Sequence, residues 1–135
     1  MRKCHRTIQI TQWAARRLPL PIACEFAFNS GDPLAVTLVF DSDGEYPVRW
    51  VFARDLLAEG LTARSGQGDV EIWPVYRAGR RSLWIQVGKA RTGRTALFEV
   101  PARPVAQWLA QSYAVVPRGR EMADVDWSEL TQMIQ

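Results

Sequence analysis

The stretch from Trp50 to Leu61 constrains this chain more than any other. Its residues are strong helix formers, Phe52 and Leu56 stand one turn apart, and Ala53 and Leu57 lie beside them, so a broad apolar face repeats at the helical period. Gly60 is expected to stop the helix by taking the left-handed conformation of a C-terminal cap, with Leu61 folding back on the last turn. Arg54, Asp55 and Glu59 are left for the opposite, solvated side. Runs rich in β-branched and aromatic residues precede and follow, so the helix is expected to lie across a sheet and close its core. The chain therefore reads as α+β.

The strands follow from alternation and turn chemistry. Thr7 to Gln12 alternates apolar Ile8 and Ile10 with polar neighbours, the pattern of a half-buried strand. Pro19 and Pro21 cannot donate to a ladder and mark a connector or a sheet edge, after which Ile22 to Phe28 resumes as a second strand. Asn29 to Pro33 is a turn. Leu34 to Phe40 is an almost wholly apolar third strand, expected to be central, and Tyr46 to Trp50 a short fourth that leads into the helix. Asp69 to Val75, Ser82 to Val87 and Thr95 to Val100 then repeat the plan, and Pro101 to Pro104 opens a second helix with Val105, Trp108, Leu109 and Ser112 on one face. Two strand-strand-strand-helix halves result, a structural pseudo-repeat. Asp126 to Glu129 has the spacing of a capping box for a short last helix carrying Trp127, Leu130 and Ile134 on one side.

A chain of 135 residues fits a single domain, 1–135, with a basic strand and connector over 1–20 and an acidic helix over 121–135. Cys4 and Cys24 are expected to be reduced, because Cys4-His5-Arg6-Thr7 stands where a secretory signal would have its apolar run. The charge-free run Pro104 to Pro117 is too short and too broken by proline to span a bilayer, so a cytoplasmic location is expected. Net charge is +3, unevenly spread. Arg2, Lys3, Arg6, Arg16 and Arg17 precede the first acid, Glu25, and a second acid-free interval between Glu71 and Glu99 holds Arg77, Arg80, Arg81, Lys89, Arg91 and Arg94. From Glu121 onward there are acids and no bases. Such asymmetry permits an anionic partner, although charge in hairpin turns is more often a solvated rim.

Catalytic and metal chemistry find little support. The sole histidine, His5, stands near the start of the chain without a second ligand at metal spacing. Asp41-x-Asp43-Gly44-Glu45 opens like a calcium loop, but the bidentate position falls on Phe52. Gly66-Gln67-Gly68 lacks the third glycine and following helix of a dinucleotide site. No catalytic residue, cofactor or metal ligand is assigned, and the chain is not expected to be an enzyme. Trp50, Trp108 and Trp127 read as helix anchors, whereas Trp13, Trp73 and Trp84 lie in or beside strands near arginines, the composition of a stacking surface for single strands as well as of a core. Arg80, Arg81, Arg91 and Arg94, in the turns flanking Ser82 to Val87, and Trp84 within it are the candidate partner-binding residues.

Asp32 to Val36, Trp50 to Leu61, Gly68 to Pro74, Pro101-Ala102-Arg103 and Val115-Val116-Pro117-x-Gly119-x-Glu121 together resemble the SsgA-like sporulation and cell division proteins of actinomycetes. The likeness runs from Ile22 onward, and the acidic ending looks most like the SsgB type; the basic start is the least family-like part. The resemblance implies a non-enzymatic regulator of sporulation-specific septation that acts at septa through the tubulin-like division protein FtsZ and other SsgA-like proteins. It also implies a Whirly-like fold of two antiparallel sheets packed with helices, and a homo-oligomeric ring, a trimer. The alternative is a single-stranded nucleic-acid-binding protein of the same fold, which the modest net charge disfavours.

Overall fold

The computed structural model describes residues 1–14 and 18–123. Alternation sets the opening ribbon. Strand β1 (Lys3–Ala14) pairs antiparallel with β2 (Leu18–Asn29) along its whole length, from Lys3 opposite Asn29 to Ala14 opposite Leu18. Ile8 and Ile10 of β1 share the inner face with Cys24, Phe26 and Phe28 of β2. The ladder runs through Pro19 and Pro21 because β3 (Ala35–Phe40) pairs only with Cys24–Ala27, leaving the first part of β2 a local edge where no donor is required.

β4 (Val48–Ala53) pairs with β3 from Phe40 opposite Val48 to Ala35 opposite Ala53, and helix α1 (Arg54–Gly60) starts only after it. The helix expected from Trp50 is thus strand over its first four residues. The period-two pattern wins there: Arg49 and Val51 face out while Trp50 and Phe52 turn inward. Phe52 and Leu56 are both buried as expected, one from each element. Gly60 is also not the left-handed cap: it has no positive φ, and helix α1 closes on Leu61 at φ −67, ψ −25. A Cβ at Gly60 would stand 2.3 Å from Ile72 Cγ2, so the glycine serves close approach of helix and strand.

β5 (Ser65–Gln67), which the sequence did not reveal, then pairs with β6 (Val70–Arg77), β6 with β7 (Arg80–Lys89) and β7 with β8 (Arg94–Pro101), after a 3-10 turn at Ala90–Thr92. Where two sheets were expected, the strands form one eight-stranded antiparallel sheet in the order β4-β3-β2-β1-β8-β7-β6-β5. β1 is long enough to pair with β2 throughout and still lend Thr11 and Gln12 to Glu99 and Phe98 of β8, and this short seam joins the halves. The sheet curls into a half-barrel. Phe40 on β3 and Phe98 on β8 stack with centroids 3.9 Å apart, although three strand spacings would hold them about 14 Å apart in a flat sheet. α2 (Ala102–Val115) lies on the inner face, burying Val105, Trp108, Leu109 and Ser112 as its spacing predicts. Trp108 meets Phe26 edge to face at 5.5 Å and donates Nε1–H to the Cys4 carbonyl at 3.3 Å. β2 and β3 both lie inside the sheet, and its edges are β4 and β5. The acidic helix expected over 121–135 lies almost wholly outside the described residues.

Candidate docking surfaces and a buried arginine

β6 and β7 meet in a two-residue turn whose Ala78 and Gly79 both have positive φ, 53° and 74°, matching the twist of an antiparallel hairpin. The turn carries Arg80 and Arg81, both exposed. Arg81 Nη2 donates to the Leu61 carbonyl at 2.7 Å, tying the hairpin to the end of α1. Between that end and the start of α2 runs a groove of about 800 Å³. Leu61, Pro101, Ala102 and Ala106 contribute its apolar surface, and Arg80, Arg81 and Arg103 its charge.

Arg91 and Arg94 lie at the other end of β7, in the turn leading to β8, so the two arginine pairs are separated by the strand's length, roughly 30 Å at about 3.3 Å per residue. Arg94 lines a different hollow, of about 420 Å³, with Val48, Trp50 and Phe98. Trp84 sits between the pairs on the outer face of the sheet, opposite in parity to buried Leu83 and Ile85, and stacks on Trp13 with centroids 6.0 Å apart. Trp73 is its neighbour on β6. The sequence candidates are therefore not brought into one surface. The arginines beside this aromatic face already have acids: Arg64 lies over Trp73 and pairs with Glu71, and Arg77 lies 3.6 Å from Glu99, which also accepts from Trp13 Nε1 at 3.2 Å.

Arg54, expected on the wet face, is 1% exposed. Because β4 runs through Ala53, Arg54 takes the inward parity of Trp50 and Phe52 and is carried under the end of α2. Nη1 donates to the carbonyl and the Oγ of Ser112 at 3.2 and 3.3 Å, and Nη2 to Glu121 Oε1 at 3.2 Å. The guanidinium lies 4.6 Å from the ring centroids of both Phe28 and Tyr113. Its Nε and the Tyr113 hydroxyl have no hydrogen-bond partner among the described residues. The Glu121 carboxyl is held below the usual carboxylate range, first by its own backbone N–H and then by the Arg54 side chain. Burial pushes the Tyr113 phenol up, and the nearby Arg118 and Arg54 oppose it. Outside this cluster, Arg118 reaches Asp55 at 3.4 Å. The segment after α2 is thus fastened back onto α1 by two ion pairs.

Reactive chemistry is sparse. Cys24 is fully buried and burial, helped by Glu25, pushes its thiol up to about 12, so it stays protonated at neutral pH. Cys4 is a free thiol, also raised by burial, and His5 is exposed on β1. Among the described residues no cluster of three or more His, Cys, Asp or Glu is placed to hold a metal ion, and no helix is long and apolar enough to cross a membrane.

Residues 22–121 match the family model described as Streptomyces sporulation and cell division protein, SsgA. The sporulation-specific cell division protein SsgB of Streptomyces coelicolor is 39% identical over 107 residues, covering 79% of this chain and 77% of that protein. A solved SsgB structure, described with mutations that correlate to longitudinal cell division during sporulation of Streptomyces coelicolor, superposes with a TM-score of 0.82 at 34% identity over 90% of this chain and 94% of that one. The SsgA-like sporulation-specific cell division protein of Thermobifida fusca gives a TM-score of 0.86 at 26% identity over 99% and 96%. The match begins at Ile22 and ends at Glu121, so it encloses both ends of the Arg54–Glu121 pair and the whole arginine-lined groove. With this match and these relatives, the chain belongs to the SsgA family of sporulation and cell division proteins and is of the SsgB type.

Proposed function

We propose that this protein is a non-enzymatic regulator of sporulation-specific cell division that marks septum sites and recruits the tubulin-like division protein FtsZ, acting as a single 1–135 unit at the septum, on its cytoplasmic side. Other SsgA-like proteins are its further partners. Arg80 and Arg81 are the primary docking residues. Arg91 and Arg94, at the other end of β7, and Trp84 between them serve separate contacts. One observation carries this reading over nucleic-acid binding: among the described residues, arginines without carboxylate partners adjoin an apolar groove, whereas those beside the half-buried tryptophan face are paired with Glu71 and Glu99. A backbone-tracking surface needs free cations along a continuous path with aromatics to stack on. The alternative keeps one point in its favour, the Trp13, Trp73 and Trp84 face, which would suit a Whirly-like single-strand binder.

A pull-down of FtsZ beside a salt titration of labelled single-stranded DNA, using wild type and the Arg80→Glu, Arg81→Glu pair, decides between them. Recruitment should fall in the pair, and oligonucleotide affinity should be negligible at physiological salt. Submicromolar, salt-sensitive oligonucleotide binding that the pair abolishes, with FtsZ capture untouched, would reverse the assignment.

A further inference from the structure

The groove between the end of α1, the β6–β7 turn and the start of α2 has a property that its residues do not use internally. We infer that it is the seat for a short acidic peptide segment of a partner protein, one that carries an apolar anchor flanked by Asp or Glu. The inference rests on the docking reading above and specifies the chemistry of what docks.

Charge complementarity selects the occupant. Arg80, Arg81 and Arg103 contribute to the groove, and among the described residues no acid does. Among the described residues Arg80, Arg81 and Arg103, like Arg91 and Arg94, have no carboxylate within 4.0 Å, and the groove is where three such guanidiniums border an apolar surface. The Arg81 bond to the Leu61 carbonyl uses one nitrogen and fixes the side chain at the groove. α2 begins here behind Pro101 without a side-chain cap, so its positive end adds to the same potential. The apolar part, Leu61, Ala102 and Ala106, is built of small and aliphatic groups, and its volume of about 800 Å³ is open enough for one or two apolar side chains. Among the described residues no aromatic ring lines it, which leaves nothing there for a base to stack on. An apolar side chain of the peptide rests on Pro101 and Ala106, both exposed, while carboxylates on either side take the guanidiniums in paired hydrogen bonds.

The test selects random dodecapeptides displayed on phage against the full chain and measures the recovered peptides, fluorescently labelled, against wild type, an Arg80→Glu, Arg103→Glu pair and Ala106→Arg. Arg80, Arg103 and Ala106 are all exposed, and unchanged melting midpoints confirm that the variants fold. Recovered sequences should combine Asp or Glu with Leu, Ile or Phe, and the charge-reversed pair should bind about tenfold more weakly or worse. Failure to enrich any peptide, enrichment of sequences without acids, or equal binding to the pair would overturn the inference. Loss of self-association in Ala106→Arg would assign the groove to a second copy and overturn it too. The same variants separate the two readings: peptide binding lost with FtsZ capture intact supports the seat and detaches it from FtsZ recruitment. FtsZ ignored by wild type that binds peptide counts against recruitment alone.

Discussion

At the scale of single residues, Arg54 is the costliest side chain to place. A buried guanidinium is tolerable only where its donors and charge are met, and here Ser112, Glu121 and the faces of Phe28 and Tyr113 meet most of them. Arg54→Ala should lower stability by roughly 3 kcal/mol, the lower end of what breaking a buried pair costs, because Glu121 at the rim can rehydrate. A urea titration checks this, and a midpoint equal to wild type would mean that the ion pair and ring contacts add nothing net. Glu121 gives the same contact a pH signature. Its folded-state value lies below that of the unfolded chain, so its contribution is complete above the ordinary carboxylate range and disappears as pH falls through the lowered value. Glu121→Gln should therefore be less stable than wild type at neutral pH, with the gap closing on acidification. Melting curves across the acid range would show a constant gap if the carboxylate were not linked.

At the scale of elements, the sequence located helices and strands better than it located their junctions. Phe52 and Leu56 fit an apolar helical face and also fit an inward strand residue followed by an inward helix residue, so the pattern alone did not say where β4 stops. That ambiguity hid Arg54: a helix from Trp50 puts it outside, and a strand through Ala53 puts it inside. Gly60 is ambiguous for a similar reason, since a glycine at the end of a helical run looks like a cap whether it is there for its φ or for its missing Cβ. Ile72, the neighbour that decides it, lies on another element. Gly60→Ala should cost about 1–3 kcal/mol, the usual range for overpacking. It should cost clearly less in an Ile72→Ala background, where the methyl met at 2.3 Å is gone. Additive penalties in that double-mutant cycle would show that the close approach is not what the glycine serves.

At the scale of the whole molecule, the pseudo-repeat was legible and the joining of its halves was not. Turn chemistry and alternation announce each hairpin locally, but the β1–β8 seam and the curl that stacks Phe40 on Phe98 are contacts between distant strands that no local pattern encodes. The same limit governs assembly. Ile22 to Phe28 and Leu34 to Phe40, the most apolar strands, lie inside the sheet, the second of them central as its composition predicts, and the exposed edges are β4 and the three-residue β5. A three-residue edge is a poor template, whereas β4 offers six residues with Val48 and Val51 both about half exposed and Tyr46 beside them. An assembly that closes on itself occupies such an edge without open-ended growth. Light scattering at micromolar concentration should therefore give a defined multimer, a trimer if the chain follows the resemblance to its family. Val51→Lys, exposed and free of core contacts, should shift the mass toward monomer while changing the protomer's stability by no more than about 0.5 kcal/mol. A multimer that survives Val51→Lys would place the interface elsewhere, and a wild-type protein that scatters as a monomer would remove both the edge argument and the ring.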